Sequence, residues 1–265
     1  MTNDVILEVR EVSMDFSGFV ALDKVSLQVE RRSMTAIVGP NGAGKTTLLN
    51  CMSGMYKPTG GSILYAGARI DGLRPHQTTG RGIGRTFQNV EQFRALTPLE
   101  LGLLGRHQAF RSRLLGETLG LPASRRDEAS QAELVRAVMG RVGILDYADV
   151  RLERLPYSVR KMADLARALC GKPDVLLLDE PTAGMGSTDK ATLVEFLRSA
   201  RGELYETMVL IDHDIDFVRA LCETTIVLDF GRLIAQGPSR EVFEDARVMS
   251  AYLGIAPDTA ARTDN

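Results

Sequence analysis

Residues 39–47 read Gly39-Pro40-Asn41-Gly42-Ala43-Gly44-Lys45-Thr46-Thr47, and this stretch decides the fold. It satisfies G-x-x-x-x-G-K-[ST] at every fixed position. Before it, Met34 to Val38 is a near-continuous apolar run that suits a strand buried on both faces. After it, Lys45 to Ser53 takes helical spacing. Glycines let such a loop curl so that successive N–H groups point at phosphate oxygens, helped by the positive end of the following helix. Lys45 adds a point charge for β and γ phosphates, and the Thr46 hydroxyl can ligate Mg2+. Such a loop by itself says that a nucleotide binds.

Working outward, Ile6 to Val12 and Val25 to Val29 alternate as strands, and Ser62 to Tyr65 with Arg69 and Ile70 suggests a hairpin around Ala66-Gly67. From Pro98 to about Gly143 the spacing is helical and no strand pattern stands out. Residues 101–172 carry 13 basic and 8 acidic side chains, so this helical stretch is locally positive. Beyond it the chain alternates: strand Val175 to Leu178, helix Thr188 to Arg201, strand Thr207 to Ile211, helix Ile215 to Leu221, strand Thr225 to Leu228. That order implies parallel pairing through right-handed crossovers. The second glycine-rich stretch, Gly80-Arg81-Gly82-Ile83-Gly84-Arg85, lacks the third glycine of a dinucleotide fingerprint and reads as a turn entering a strand.

What is done with a bound nucleotide depends on acidic residues. Val175-Leu176-Leu177-Leu178-Asp179-Glu180 sets a carboxylate at the end of a buried strand, where Asp179 can hold Mg2+ directly or through water. Glu180, one residue on, can polarise an attacking water.

These motifs, in this order from about Ile6 to Gly254, resemble the ATP-binding cassette ATPases. The resemblance implies an α/β fold: a P-loop NTPase core with a mostly parallel sheet, an N-terminal antiparallel β subdomain and an inserted α-helical subdomain. It implies one cassette over residues 1–257, with a core of 1–97 and 160–257, an insertion of 98–159 and a frayed tail at 258–265. Gln88 in GIGRTFQNVEQF looks like the glutamine that touches Mg2+ and couples the nucleotide to the transporter. Phe16 resembles the aromatic that stacks on adenine, with Phe19 a competitor for that role. His213 in LIDHDID resembles the histidine that reaches the γ phosphate, and Ala183 to Asp189 occupies the place of the D-loop. Catalysis is thus expected from Glu180, His213 and Gln88, and metal binding from Thr46, Gln88 and Asp179.

The family signature, usually LSGGQ, departs here: Leu155-Pro156-Tyr157-Ser158-Val159. Pro156 stands for serine, Ser158 for glycine and Val159 for glutamine. A form beginning Leu-Pro-Tyr-Gly-Gln is similar to that of branched-chain, or hydrophobic, amino-acid importers, so Tyr157 and Ser158 are expected to face nucleotide from across a dimer. The span from Gln88 to Leu155 favours the longer of the two ATPases such importers carry. A glycine replaced by Ser158 raises a question of backbone strain if that position needs positive φ.

The implied partners are integral-membrane permease subunits, a second cassette ATPase that is an identical copy or a paralogue, and indirectly a periplasmic or extracellular solute-binding protein. Lipid or lipopolysaccharide export, or a weakly hydrolysing role in a heterodimer, are the alternatives. The 265 residues carry 32 basic and 34 acidic side chains, which disfavours a nucleic-acid partner. Cys51, Cys170 and Cys222 lie far apart, without the spacing of a disulfide framework or zinc site. Apolar runs fall short of the ~20 residues that cross a bilayer, and the start MTNDVILEVREV lacks a signal peptide's basic and apolar regions. The expected location is the cytoplasmic face of a bacterial plasma membrane, peripherally held.

Overall fold

The computed structural model describes residues 4–87, 90–106, 122–246 and 248. In chain order the elements are β1 (Val5–Phe16), β2 (Phe19–Glu30), β3 (Met34–Val38), α1 (Lys45–Met52), β4 (Gly60–Tyr65), β5 (Ala68–Arg69), α2 (Pro75–Thr79), β6 (Ile83–Arg85), α3 (Pro98–Gly105) and α4 (Pro122–Val142). They continue as α5 (Tyr157–Cys170), β7 (Val175–Asp179), α6 (Ser187–Ala200), β8 (Thr207–Ile211), α7 (Ile215–Leu221), β9 (Thr224–Asp229), β10 (Arg232–Pro238) and α8 (Ser239–Val242). Two compact units result, one from the residues up to Leu73 with those from Val209 onward, the other Arg74–Met208. The division falls inside β8.

The first unit holds an antiparallel sheet of order β2-β1-β4-β5. It also holds the strands β10-β9-β3-β8, in which β3 pairs with β9 in parallel and β10 with β9 antiparallel. All five residues of β3 and of β8 are buried, as their apolar runs predict. Three hairpins turn on two residues at positive φ: Ser17-Gly18, Ala66-Gly67 and Phe230-Gly231. Such turns match the twist of the strands they join, and glycine takes the second position without a Cβ penalty. At the first, Gly18 N–H donates to Asp15 Oδ1 at 2.6 Å and Phe16 pairs with Phe19. The core gathers Leu7, Leu22, Ile37, Leu48, Leu49, Met52 and Ile63, each fully buried. Burial of this kind contributes roughly 1.5–3 kcal/mol per large aliphatic side chain.

The second unit joins a parallel pair, β6 with β7, to the helices α3, α4 and α5. Its five-residue strand β7 is entirely buried. Pro98 opens α3 behind a capping box in which Thr97 Oγ1 accepts from Glu100 N–H at 3.2 Å, while Thr97 N–H donates to Glu100 Oε2 at 2.8 Å. Leu101, Val135, Met139 and Leu169 are buried where these helices meet. The helical character expected between Pro98 and Gly143 holds for α3 and α4, and Gly80–Arg85 does run from a turn into β6. The strands expected to end at Val12 and begin at Val25 are longer: β1 runs on to Phe16 and β2 starts at Phe19. The short primed turn lets the ladder extend past the alternating core.

Candidate nucleotide site

The phosphate loop leaves the buried end of β3 and enters α1 with its glycines in conformations a side chain would forbid. Gly39 has φ 147°, and a Cβ there would stand 2.0 Å from the Leu228 carbonyl oxygen. Gly44, the residue capping α1, has φ 93° and would put a Cβ 2.5 Å from the Ala21 carbonyl oxygen. Gly42, at φ 82°, keeps the loop curled where nothing crowds it. Ala43 N–H donates to the Pro40 carbonyl at 3.2 Å. Lys45 is buried over this loop, its Nζ donating to the Gly39 and Pro40 carbonyls at 2.8 and 2.9 Å. No side chain caps α1 and no acidic residue sits in its first turn, so the helix presents a positive end that suits an anion. Thr46 and Thr47 follow, half-buried, and Asn41 is exposed.

The same unit holds Phe16 and His213. Phe16 is 40% exposed and meets Tyr56 edge-on at 5.4 Å between ring centres, whereas Phe19 is 66% exposed. His213 is exposed in the link from β8 to α7. Acidic neighbours shape that link: Asp212 Oδ1 accepts from Asp214 N–H at 2.9 Å, and Asp214 Oδ1 caps α7 by accepting from Phe217 N–H at 3.0 Å.

In the second unit, Asp179 ends β7 at 1% exposure. Its N–H donates to Thr86 Oγ1 at 3.3 Å, and its Oδ2 lies 3.4 Å from Arg85 Nη2. Its Oδ1 is buried without a hydrogen-bond partner. Burial pushes this carboxyl above the usual carboxylate range, Arg85 opposes the rise, and neighbouring Glu180 adds to it. An orphaned carboxylate oxygen of this kind fits a hard divalent cation. Among the described residues no group of three or more His, Cys, Asp or Glu could hold a metal. Glu180 has a left-handed backbone, φ 49°, and its carbonyl accepts from Lys161 Nζ at 3.4 Å and Ala183 N–H at 3.3 Å.

The divergent signature begins α5. Pro156 precedes the helix, no side chain caps it, and its first turn carries no acid. Tyr157 is 40% exposed, with Arg160 and Lys161 5.6 and 5.7 Å from its ring centre. Ser158 has ordinary helical backbone and is half-buried, which removes the strain that a serine would suffer at positive φ. Gln88 and the stretch Ala251 to Gly254 lie outside the described residues.

Several side chains beside these carboxylates carry no motif of their own. Arg85 and Thr86 reach Asp179 from β6 and its exit, and Lys161 reaches Glu180 from α5. Asp164 accepts from Phe87 N–H at 2.5 Å and pairs with Arg167 at 2.6 Å. No local pattern marks Arg85 or Lys161 for these contacts, which they make with residues 94 and 19 positions further along the chain.

The sequence pattern of the ABC transporter family matches residues 22–183. The chain is 35% identical, over 95% of its length and 98% of the relative's, to the high-affinity branched-chain amino acid transport ATP-binding protein LivG of Salmonella typhimurium. The corresponding protein BraF of Pseudomonas aeruginosa shows the same identity and coverage. Among solved structures, the ADP conformation of MJ1267, an ATP-binding cassette of an ABC transporter, superposes with a TM-score of 0.79 at 25% identity, over 94% of this chain and 99% of that one. With the curled loop, the buried aspartate and the strand order already in place, the chain belongs to the ATP-binding cassette family of transporter ATPases.

Proposed function

We propose that this chain is the ATP-hydrolysing subunit of an importer for branched-chain or other hydrophobic amino acids, held at the cytoplasmic face of a bacterial plasma membrane. The observation that carries this is its 35% identity, along nearly the whole of both chains, to proteins named for that transport. In this reading Gly39, Pro40, Asn41, Gly42, Ala43, Gly44, Lys45, Thr46 and Thr47 cradle the triphosphate, and Phe16 stacks on adenine. Thr46, Asp179 and Gln88 would hold Mg2+, which would supply positive charge to the phosphates. Glu180 orients and polarises the attacking water, and His213 contacts the γ phosphate. A second cassette, identical or paralogous, brings Tyr157 and Ser158 to the same nucleotide. Contacts made only in the closed pair mean that ATP shifts the population towards closure. Residues 98–159, set into a core of 1–97 and 160–257, pass that closure to permease subunits, and a solute-binding protein outside supplies the cargo.

The test is to purify the chain with its membrane partners in lipid vesicles and measure ATP hydrolysis as amino acids and the binding protein are added. Stimulation by leucine, isoleucine or valine is expected. Indifference to every hydrophobic amino acid overturns the assignment. Pro156 and Val159 favour a second reading, in which turnover is concentrated in one of two unlike sites; half-site hydrolysis in the assembled complex would distinguish it.

A further inference from the structure

Two pairs of a half-buried arginine with a buried aspartate flank the exit of β6, and they are built differently. Asp164 has a partner on each oxygen: Arg167 Nε donates to Oδ1 at 2.6 Å and Phe87 N–H to Oδ2 at 2.5 Å. Arg167 also donates to the Arg85 carbonyl at 2.6 Å and sits 4.0 Å from the centre of the Phe87 ring. That pair locks the backbone. Asp179 is left open, with Arg85 Nη2 at 3.4 Å from one oxygen and nothing donating to the other. A lasting arginine–carboxylate bond closes to about 2.7–2.9 Å. A buried pair short of hydrogen bonds repays its desolvation poorly. The half-satisfied carboxylate is therefore built to take a different cation.

We propose that Arg85 is the resident counter-cation of Asp179, balancing that carboxylate while no metal is bound and yielding it when Mg2+ arrives with the nucleotide. The inference rests on the reading that Asp179 serves the metal. Arg85 is registered against Leu177 in the β6–β7 ladder, its carbonyl is held by Arg167, and its side chain keeps 15% exposure towards solvent. If Asp179 serves the metal, a carboxylate left without a cation disfavours binding of ATP that brings no metal. Arg85 offsets this penalty and sets how strongly binding depends on Mg2+.

The experiment is calorimetry of ATP binding with Mg2+ and with excess EDTA, on wild type and Arg85→Gln. The expected result is that Arg85→Gln weakens metal-free ATP binding by about tenfold or more, the size of one lost charge-assisted contact. Binding with Mg2+ changes little, so the ratio of the two affinities rises. Equal losses in both conditions, as a merely structural arginine would give, overturn the proposal, and so does an unchanged ratio. Wild type that binds no ATP in either condition overturns the nucleotide reading instead. Should Arg85→Gln not fold, side-chain nitrogen resonances of the wild-type arginines decide, with the Arg85 signal assigned by Arg85→Lys. MgATP must shift that signal and ATP with EDTA must not; a signal indifferent to Mg2+ overturns the proposal.

Discussion

The Tyr157 ring lies against the backbone of Gly184, so that a Cβ on Gly184 would stand 3.0 Å from Tyr157 Cδ1 and 3.4 Å from Cε1. Gly184 also has φ +76°. The aromatic that opens α5 and the turn that precedes α6 are therefore packed as one piece. Gly184→Ala is expected to cost about 1 kcal/mol for the backbone alone, with the clash added. Thermal denaturation of Gly184→Ala, Tyr157→Ala and the double variant separates the parts. Removing the ring relieves the clash, so the double variant should lose less than the sum of the singles. Strict additivity would show that Tyr157 moves aside without resistance.

The helical backbone of Ser158 gives a second prediction. Replacing it by the family's glycine relieves no strain and removes a better helix former, so Ser158→Gly should lower stability by a few tenths of a kcal/mol, to about 0.5. It should not raise the ATPase rate of the assembled complex. Val159→Gln, which restores a polar side chain, is the change expected to raise it. A rate gain from Ser158→Gly alone would show that the position needs glycine's freedom in the closed dimer.

Lys45 is held by two loop carbonyls, and those bonds keep its charge over the curled amides. Lys45→Ala should weaken ATP binding by roughly tenfold to a hundredfold, the range for a lost hydrogen bond to a charged group. Unchanged affinity in calorimetry would contradict the cradle.

Much of the fold was legible because its signals are local. Gly39 and Gly44 sit where a spacing rule demands them, and the largely apolar runs of β3, β7 and β8 announce buried strands. The hairpin at Ala66-Gly67 is signalled by Gly67, which takes positive φ without a Cβ penalty. What stayed hidden depends on contacts between segments far apart in sequence. Arg85 and Asp179 are 94 residues apart, and Phe87 and Asp164 are 77 apart. No periodicity encodes such pairs. Ser158 could not be read either, because the φ of one residue depends on whether the helix starts before it or after it.

Glu180 combines a catalytic expectation with backbone strain, at φ 49° in a non-glycine residue. Glu180→Gln keeps the shape and removes the charge, so hydrolysis should fall by about a hundredfold or more while ATP binding persists. Glu180→Gly also removes the carboxylate but relieves the strain, and should raise the unfolding free energy by up to about 1 kcal/mol. Turnover in Glu180→Gln equal to wild type would exclude Glu180 as the base.

The three cysteines supply a pH prediction. Cys51, Cys170 and Cys222 are all buried. Burial pushes the Cys51 thiol from an ordinary 9.0 to about 12. It pushes Cys170 to about 11 against the opposing charges of Arg106 and Arg167. Cys222 rises too, through burial first and then Glu223 and Asp212. The native thiols thus stay protonated at pH 8–9, where those of the unfolded chain begin to ionise. Above pH 9 the unfolded state holds fewer protons than the native one, so stability falls as pH climbs towards the native values. Since the thiolate is the reactive form, Ellman's reagent at pH 8 should label the native chain far more slowly than the chain in urea. The native labelling rate should follow unfolding rather than thiol ionisation. Rapid labelling of all three thiols in the folded protein, or stability that rises between pH 9 and 11, would contradict this account.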